Sequence, residues 1–358
     1  MSQQDPRHRQ GNYVEYGNHP GHLTYGEDSV GGMLIEAVAV VNPANPAAED
    51  DGDLSTPFVT VQNAVDALPS AGGSVLVTPQ PDNAPYEETV IIDKPDVHLM
   101  GLGSDIAPLP LIQPSDADMP AVIITNATRA SALVWAADPA NYLANYGVLA
   151  DAGEPHPTGV TISDMSLIGQ SLAAYALVLA GVGGDTLSAN TSRVKLGLGS
   201  SGAVWSKSAN LGVALTTVSG RTWFFDDAIL LLEHSTIGRV TAQNASTIGA
   251  KMSSIGTGGG VALLLDGSGF TGRSVDFLGD VDIDNGANYQ HYGGTIEGAA
   301  LTTLEVEGDC QADIYNVHVE GLATYENAAP LQACIAHGGA FVPNYSDGGA
   351  RLTRVTGF

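Results

Sequence analysis

Three aspartates alternate with apolar residues in the C-terminal third of the chain. The run 280–284 reads DVDID and is followed by Asn-Gly at 285–286. Hard cations bind several carboxylate oxygens at once, so Asp280, Asp282 and Asp284 are candidate ligands for calcium, magnesium or sodium. Strict alternation also predicts a β-strand with its apolar residues in the core, its aspartates in solvent and a turn at Asn-Gly. We prefer the strand, which is compatible with a cation along its row of aspartates, and expect no other cofactor.

The same acidic pattern recurs further along the chain at a constant shift. The aligned pairs are DIDNG (282–286) with EVEGD (305–309), and GTIEG (294–298) with VHVEG (317–321). The offset is the same in both pairs, from Ile283 to Val306 and from Glu297 to Glu320. A fixed period indicates stacked structural repeats, and stacked strands lie about 4.8 Å apart. Glu297 and Glu320 should then lie on neighbouring coils in register. Their expected separation is close to the roughly 5–5.5 Å between the two carboxyls of retaining glycosidases. A solvated row of acidic side chains is the simpler interpretation.

A stack of this kind must begin somewhere, and residues 57–104 have the pattern of its first coils. Apolar residues with helical i, i+3, i+4, i+7 spacing are Val61, Ala64, Val65 and Leu68. They predict a helix with one buried face, with Ser55 or Thr56 as N-cap and Pro57 in its first turn. The segments SVLV, ETVII and VHLM follow as predicted strands. Such a helix can cover the apolar side chains and backbone groups at the end of a strand stack.

Residues 57–104 also resemble a known family. Their order PF-x-T-V-Q-x-A-V-D-A-L-P…GG-x-V-x-V…Y-x-E-T-V-x-I-x-K-P…V-x-L-x-G-x-G-S is similar to the N-terminal cap and first coils of the pectate-lyase-like superfamily. That superfamily contains pectate lyases, polygalacturonases, pectin methylesterases and many viral tailspikes. The resemblance implies an all-β fold, a right-handed parallel β-helix with a short N-terminal capping helix. It does not specify an activity, because this fold hosts many.

The resemblance supplies candidate catalytic residues. Asp226 and Asp227 in WFFDDAIL resemble the paired aspartates of polygalacturonases, although that family's Asn-Thr-Asp, Gly-His-Gly and Arg-Ile-Lys elements are absent; a turn after an aromatic strand is the alternative. The block 274–279, SVDFLG, resembles the VDF-x-aromatic-G block of pectin methylesterases with one residue missing, which implies Asp276 as nucleophile or acid. An enzyme would be favoured if these residues and Glu233 converged in one open groove.

Composition narrows the class of protein. The 358 residues carry 39 Asp and Glu against 13 Lys and Arg, a net charge of −26, yet 44% are hydrophobic. This combination indicates an acidic globular protein rather than a disordered one. Such a surface stays hydrated in concentrated salt, where self-repulsion is screened within about 3 Å at 1 M, so we expect a halophilic source. Nucleic acid is excluded as a partner, because no basic patch exists to neutralise phosphates.

The chain divides into four predicted segments. Residues 1–32 are polar and rich in Gly, His and Tyr, and are expected to dock onto a partner subunit or another virion protein. Residues 33–56 are a lead-in strand and linker, 57–337 the parallel β-helix, and 338–358 a C-terminal cap or tail. No long helical pattern interrupts the strands after the first coils. We expect three chains to assemble laterally, since long solenoids gain stability by packing side by side.

Two further features bear on compartment. No signal peptide is visible in residues 1–32, and no apolar run approaches the roughly 18 residues that span a membrane. We therefore expect synthesis in the host cytoplasm, no membrane insertion and a final location in the virion. The spacing of Cys310 and Cys334 is close to the period of the repeat. The two should therefore lie on neighbouring coils, where they could form either a disulfide or a buried pair of thiols.

These observations lead to three functional hypotheses. The first is a structural virion surface protein of a halophilic virus, such as a spike, fibre or capsid projection, that binds host cell-surface glycans or glycoprotein. The second is a polysaccharide-active enzyme, a hydrolase or lyase, which could itself be carried by a virion. The third, a secreted adhesion solenoid, requires an export route that the N-terminal sequence does not offer.

Overall fold

A computed structural model describes residues 37–49, 56–103, 108–138, 141, 149, 156–169, 175–182, 187–197, 202–298, 304–307 and 310–320, together with the short stretches 15–16, 23–24, 322–326, 335–337 and 344–346. Within these ranges the chain is built mainly from short parallel strands. The helices described are α1 (Val61–Ala67), α2 (Arg129–Ala136) and a 3-10 turn at Pro81–Asn83. None of the described helices is long and apolar enough to cross a membrane.

The strands follow one another at short intervals. In the first half they are β1 (Glu15–Tyr16), β2 (Leu23–Thr24), β3 (Val38–Val41), β4 (Gly73–Val77), β5 (Val90–Ile92), β6 (Val97–Gly101), β7 (Leu111–Ile112), β8 (Val122–Thr125), β9 (Val160–Ser163), β10 (Ser166–Leu167), β11 (Leu177–Ala180), β12 (Leu187–Ser192), β13 (Lys195–Leu196), β14 (Gly202–Lys207) and β15 (Ala209–Ala214). In the second half they are β16 (Thr217–Val218), β17 (Arg221–Phe225), β18 (Ile229–Glu233), β19 (Thr236–Ile237), β20 (Val240–Gln243), β21 (Thr247–Lys251), β22 (Ser254–Asp266), β23 (Gly269–Asp284), β24 (Asn288–Glu297), β25 (Leu304–Glu307), β26 (Gln311–Glu320), β27 (Leu322–Glu326), β28 (Ile335–His337) and β29 (Asn344–Ser346).

Three parallel ladders, which we term faces A, B and C, run along the molecule. Face A stacks β3, β4, β6, β9, β12, β15, β18 and β21, then the first parts of β23, β24 and β26, and β28. Face B stacks β7, β10, β13, β16 and β19, then parts of β22, β23, β24 and β26. Face C stacks β5, β8, β11, β14, β17 and β20, then the ends of β22 and β23, and β25, β27 and β29. The predicted parallel β-helix is confirmed.

The register confirms the predicted repeat and shows where it changes. Ile283 pairs with Val306, and Glu297 with Glu320, both in the register that the aligned segments predict. Earlier coils are shorter, because Leu211 already pairs with Leu230, and Leu230 with Ile248. A single coil length therefore does not describe the whole solenoid.

In the short coils, one residue with a left-handed backbone turns the chain from face A to face B. The φ angles of Leu215, His234 and Met252 are 50°, 48° and 46°, a region that L-residues seldom adopt. Each of the three donates its backbone N–H to the next coil at 3.1, 3.1 and 3.0 Å. The stacked hydrogen bonds offset the strain that the left-handed backbone costs.

The interior is filled by inward side chains of the three faces. In the C-terminal coils it is aromatic, where the rings of Phe270 and Tyr289 stack with centroids 5.1 Å apart and Phe277 packs against Phe270. His291 lies among these rings and is fully buried. Cys310 is also buried, and its thiol donates to the Ile283 carbonyl at 3.4 Å. Its expected partner Cys334 lies outside the described residues, as do most of the segments predicted at 1–32 and 338–358.

The capping helix is confirmed, but its start differs from the prediction. Val61, Ala64 and Val65 are fully buried on the predicted face. The N-cap is Thr60, whose hydroxyl accepts from the Asn63 N–H at 3.3 Å, rather than Thr56; Ser55 lies outside the described residues. Pro57 precedes the helix because the next residue, Phe58, pairs with face A through a hydrogen bond to the Val40 carbonyl at 2.7 Å.

Helix α2 corrects the expectation that strands alone follow the first coils. It occupies the long coil between β8 and β9 and lies against the outer side of face C. Trp135 packs on the outward-facing Trp205, with ring centroids 5.0 Å apart. Val178 and Ile123, in the same outward column, are buried in this second hydrophobic cluster. The apolar outer surface of face C therefore selects a helix at the segment that reads SALVW.

Candidate functional site

The aspartate run 280–284 ends β23 on face C. The predicted alternation holds from Val281 to Asp284, but the prediction is wrong for Asp280, which is buried rather than in solvent. Val281 and Ile283 are fully buried, Asp282 and Asp284 are half-buried on the outer side, and Asp280 is 4% exposed. Positive φ angles at Asn285 and Gly286, 54° and 75°, form the turn. Alternate positions on a strand lie roughly 6.6 Å apart, so these carboxylates are spread along the strand. Among the residues described, no group of three or more His, Cys, Asp or Glu is placed to hold a metal ion.

Asp282 instead has a partner on the next coil. It is the register partner of Glu305 in β25, and strands in register lie about 4.8 Å apart. Burial, followed by the charges of Asp280 and Asp284, raises the pKa of Asp282 to about 6. Burial, and a hydrogen bond that the protonated Glu305 donates to the Glu307 carboxylate, raise the pKa of Glu305 to about 7. Both carboxyls therefore keep their protons to a higher pH than ordinary carboxyls do.

Arg239 borders this carboxyl pair. It lies just before β20, and its positive charge lowers the pKa of Asp282, opposing the effect of burial. Burial and the neighbouring charge of Arg221 lower the pKa of Arg239 itself. Its Nε, like the indole Nε1 of Trp223 in β17, is buried without a hydrogen-bond partner. Face C thus carries these carboxyls together with a guanidinium whose Nε donates no hydrogen bond to the described residues.

Asp226 and Asp227 lie in the turn that joins face C to face A. Their φ angles are 50° and 62°. Asp226 is half-buried, accepts from the Asn244 amide at 3.0 Å and forms an ion pair with Lys207 at 3.3 Å. Asp227 is exposed. Both residues therefore occupy the turn that was the alternative to a catalytic pair.

The other two catalytic candidates lie on different faces. Glu233 ends β18 on face A, where an ion pair with Lys251 at 2.9 Å lowers the pKa of its exposed carboxyl. Asp276 lies on face B and accepts from both the N–H and the hydroxyl of Thr295, each at 3.0 Å. These residues do not converge with each other, nor with the Asp226 turn.

Glu297 is exposed at the end of β24 on face B. Its register partner is Glu320, as the repeat predicts, but the side chain of Glu320 lies outside the described part of the chain. Glu305 is the residue that the sequence reasoning passed over. The alignment of DIDNG with EVEGD already paired Glu305 with Asp282. The position of Glu305 was therefore predictable from the sequence, but its burial was not.

No family model matches this chain, and no curated protein is similar to it in sequence. The relation to the pectate-lyase-like superfamily therefore rests on residues 57–104 and on the parallel β-helix, which is consistent with the fold of that superfamily.

Proposed function

We propose that this protein is a virion surface protein, a spike, fibre or capsid projection, that binds glycans or glycoprotein on the host cell. The observation that carries the proposal is the length of face A, a parallel ladder running from β3 to β28. In its C-terminal coils the outward columns carry polar and aromatic side chains at Gln290, Tyr292 and Tyr315. A long sheet face suits an extended saccharide better than a small substrate, which favours a concave pocket.

The charge supports a halophilic virus as the source. A net charge of −26 keeps the surface hydrated, and molar salt limits repulsion between carboxylates to about 3 Å. In this proposal residues 1–32 join the β-helix to other virion proteins.

Exposed apolar side chains on face A, and at the turn from face A to face B, support lateral association of three chains. Leu231 is 58% exposed, and its register partners on the neighbouring coils are Gly212 and Gly249. Leu215 and Met252, 57% and 47% exposed, lie at the adjoining A–B bend. An apolar projection flanked by glycines allows a second copy of the chain to approach the sheet closely.

The test is binding of purified protein to candidate haloarchaeal host cells in molar salt. Binding should be lost when surface glycans are removed chemically, and the bound protein should release neither reducing ends nor unsaturated sugars. The double variant Asp226→Asn, Asp227→Asn should bind as wild type does, because both residues lie in a turn. Binding that persists after deglycosylation contradicts the proposal.

One observation favours a second function, cleavage of a polysaccharide on face C. Asp282 and Glu305 are adjacent and half-buried, and the pKa values of both are raised toward neutral, as a general acid of a glycosidase requires. Steady release of oligosaccharide that falls by about 10²-fold or more in Asp282→Asn and Glu305→Gln, but not in Glu297→Gln, would establish the enzyme.

A further inference from the structure

The last coils of face A carry an exposed column of one arginine and two tyrosines. Arg273, Tyr292 and Tyr315 are register partners on three consecutive coils. The two phenol rings stack with centroids 6.0 Å apart and planes inclined by 28°. Tyr315 is 45% exposed and Arg273 is exposed. The column therefore offers aromatic surface and a positive charge to the solvent.

A second outward column runs beside the first. Thr271, Gln290 and Asp313 are register partners on the same three coils, two positions before the arginine and the tyrosines. Thr271 is exposed, and the other two are half-buried. Side chains at alternate positions point to the same side of a sheet, so hydroxyl, amide and carboxylate groups lie alongside the aromatic column.

Arg273 has no counter-charge among the residues that the structure describes. Its guanidinium forms no hydrogen bond or ion pair with any residue that the structure describes. Lys251, on the preceding coil of the same column, is neutralised by Glu233 at 2.9 Å. In a chain with three times as many acidic as basic residues, an exposed arginine that binds none of the described carboxylates is available to an external anion.

We propose that Arg273, Gln290, Tyr292 and Tyr315, the Arg273 patch, bind a saccharide that carries an anionic group, a carboxylate or a sulfate ester. The inference rests on the proposed glycan binding and names its site and ligand class. The guanidinium matches a carboxylate or sulfate through paired donors, the phenol rings contact the apolar face of a sugar, and the amide meets hydroxyls. Because coils lie about 4.8 Å apart, close to the length of one pyranose, a glycan along the axis places about one sugar on each coil.

The probes are a hyaluronan oligosaccharide for carboxylate, dextran sulfate for sulfate and dextran as the neutral polymer, titrated in molar KCl. Wild type should bind at least one anionic probe more tightly than dextran. Arg273→Gln should weaken that binding by about tenfold or more and leave dextran unchanged. Tyr315→Ala should weaken both, while Tyr315→Phe, which keeps the ring, should retain most of the affinity.

Lys251→Gln is the matched control, since it removes a positive charge from the same column where that charge is already paired. It should leave binding of the anionic probes within about twofold of wild type. Equal losses in Lys251→Gln and Arg273→Gln would show a general charge effect and overturn the patch. So would a wild type that prefers neither anionic probe. If Arg273→Gln and Tyr315→Ala bind host cells like wild type in a glycan-dependent manner, the patch is wrong and the proposed function stands; loss of glycan dependence in wild type removes the function itself.

Discussion

Asp282 and Glu305 occupy the same outward position on consecutive coils of face C. Two carboxyls at this separation cannot both ionise without mutual repulsion, and their partial burial adds to the effect. The pair therefore changes protonation nearer to neutral pH than ordinary carboxyls do, and it provides the first prediction.

The carboxyl pair should make the protein less stable as pH rises. Folding raises the pKa of Asp282 from 3.8 to about 6 and that of Glu305 from 4.5 to about 7. The native state therefore binds protons more tightly than the unfolded chain, and its stability falls between about pH 4 and pH 7. In calorimetry at constant molar KCl, the melting temperature of Glu305→Gln should be higher than that of wild type at pH 8 and equal to it at pH 4. Glu297→Gln is the exposed control, and superimposable profiles for wild type and Glu305→Gln would contradict the prediction.

His291 should have the opposite pH dependence. Burial lowers the pKa of His291 from 6.5 to about 4. Its contribution to folding stability is therefore complete above pH 6.5 and is lost as the pH falls from about 6.5 to 4. The Val275 carbonyl can only accept, so Nε2 donates to it at 3.0 Å, and Nδ1 accepts from the Tyr289 hydroxyl at 2.9 Å.

Tyr289→Phe tests this arrangement, because it leaves the buried Nδ1 without its donor. We expect a loss of about 1–3 kcal/mol in the free energy of unfolding at pH 7.5, measured by denaturant titration. Tyr292→Phe, on the outer side of the same strand, is the control and should cost little. An unchanged stability of Tyr289→Phe would mean that the hydroxyl does not serve His291.

The two ends of α1 are held by side chains of the following coil. The Glu88 carboxylate accepts from the Val61 and Gln62 N–H groups at 2.8 and 2.9 Å, and the Lys94 ammonium donates to the Leu68 carbonyl at 2.6 Å. Glu88→Ala and Lys94→Met should each lower the free energy of unfolding by about 1–2 kcal/mol. The exposed neighbour Glu87 offers the control Glu87→Ala, and a loss of similar size there would show that capping is not the cause.

A charge beneath α1 should unfold the first coils. Val65 is fully buried against the end of the stack, whereas Val59 is 38% exposed. Val65→Asp would bury an unpaired carboxylate, and hydrogen exchange in β3, β4 and β6 should rise far more than in the later coils. Val59→Asp should leave exchange close to wild type. Equal protection in both variants would mean that the helix does not support the stack.

Stability should also depend on salt. Lowering ionic strength from molar to about 0.1 M lengthens the Debye length from about 3 to 10 Å, so repulsion among 39 acidic side chains acts over longer distances. The melting temperature should fall steadily as KCl is diluted, with sucrose-matched samples as the control for osmolyte effects. A melting temperature indifferent to salt would remove the inference of a halophilic source.

The sequence by itself determined the features that depend on local periodicity. The buried face of α1, the alternation at 281–284 and the pairing of Ile283 with Val306 one repeat later were all predictable. In each case the direction of a side chain follows from its position within a helix or strand. The resemblance of residues 57–104 to the pectate-lyase-like superfamily implied the parallel β-helix, and the repeated strand pattern independently indicated stacked coils.

The tertiary structure decided what depends on contact between coils. The N-cap moved to Thr60 because Phe58 pairs with face A, and α2 forms where the outer side of face C is apolar. The left-handed bend at Leu215 has no propensity signal and is maintained by hydrogen bonds to the next coil. Nor does any local pattern indicate that Glu305 is desolvated beside Asp282, since burial and electrostatic coupling arise only when residues distant in the chain are stacked.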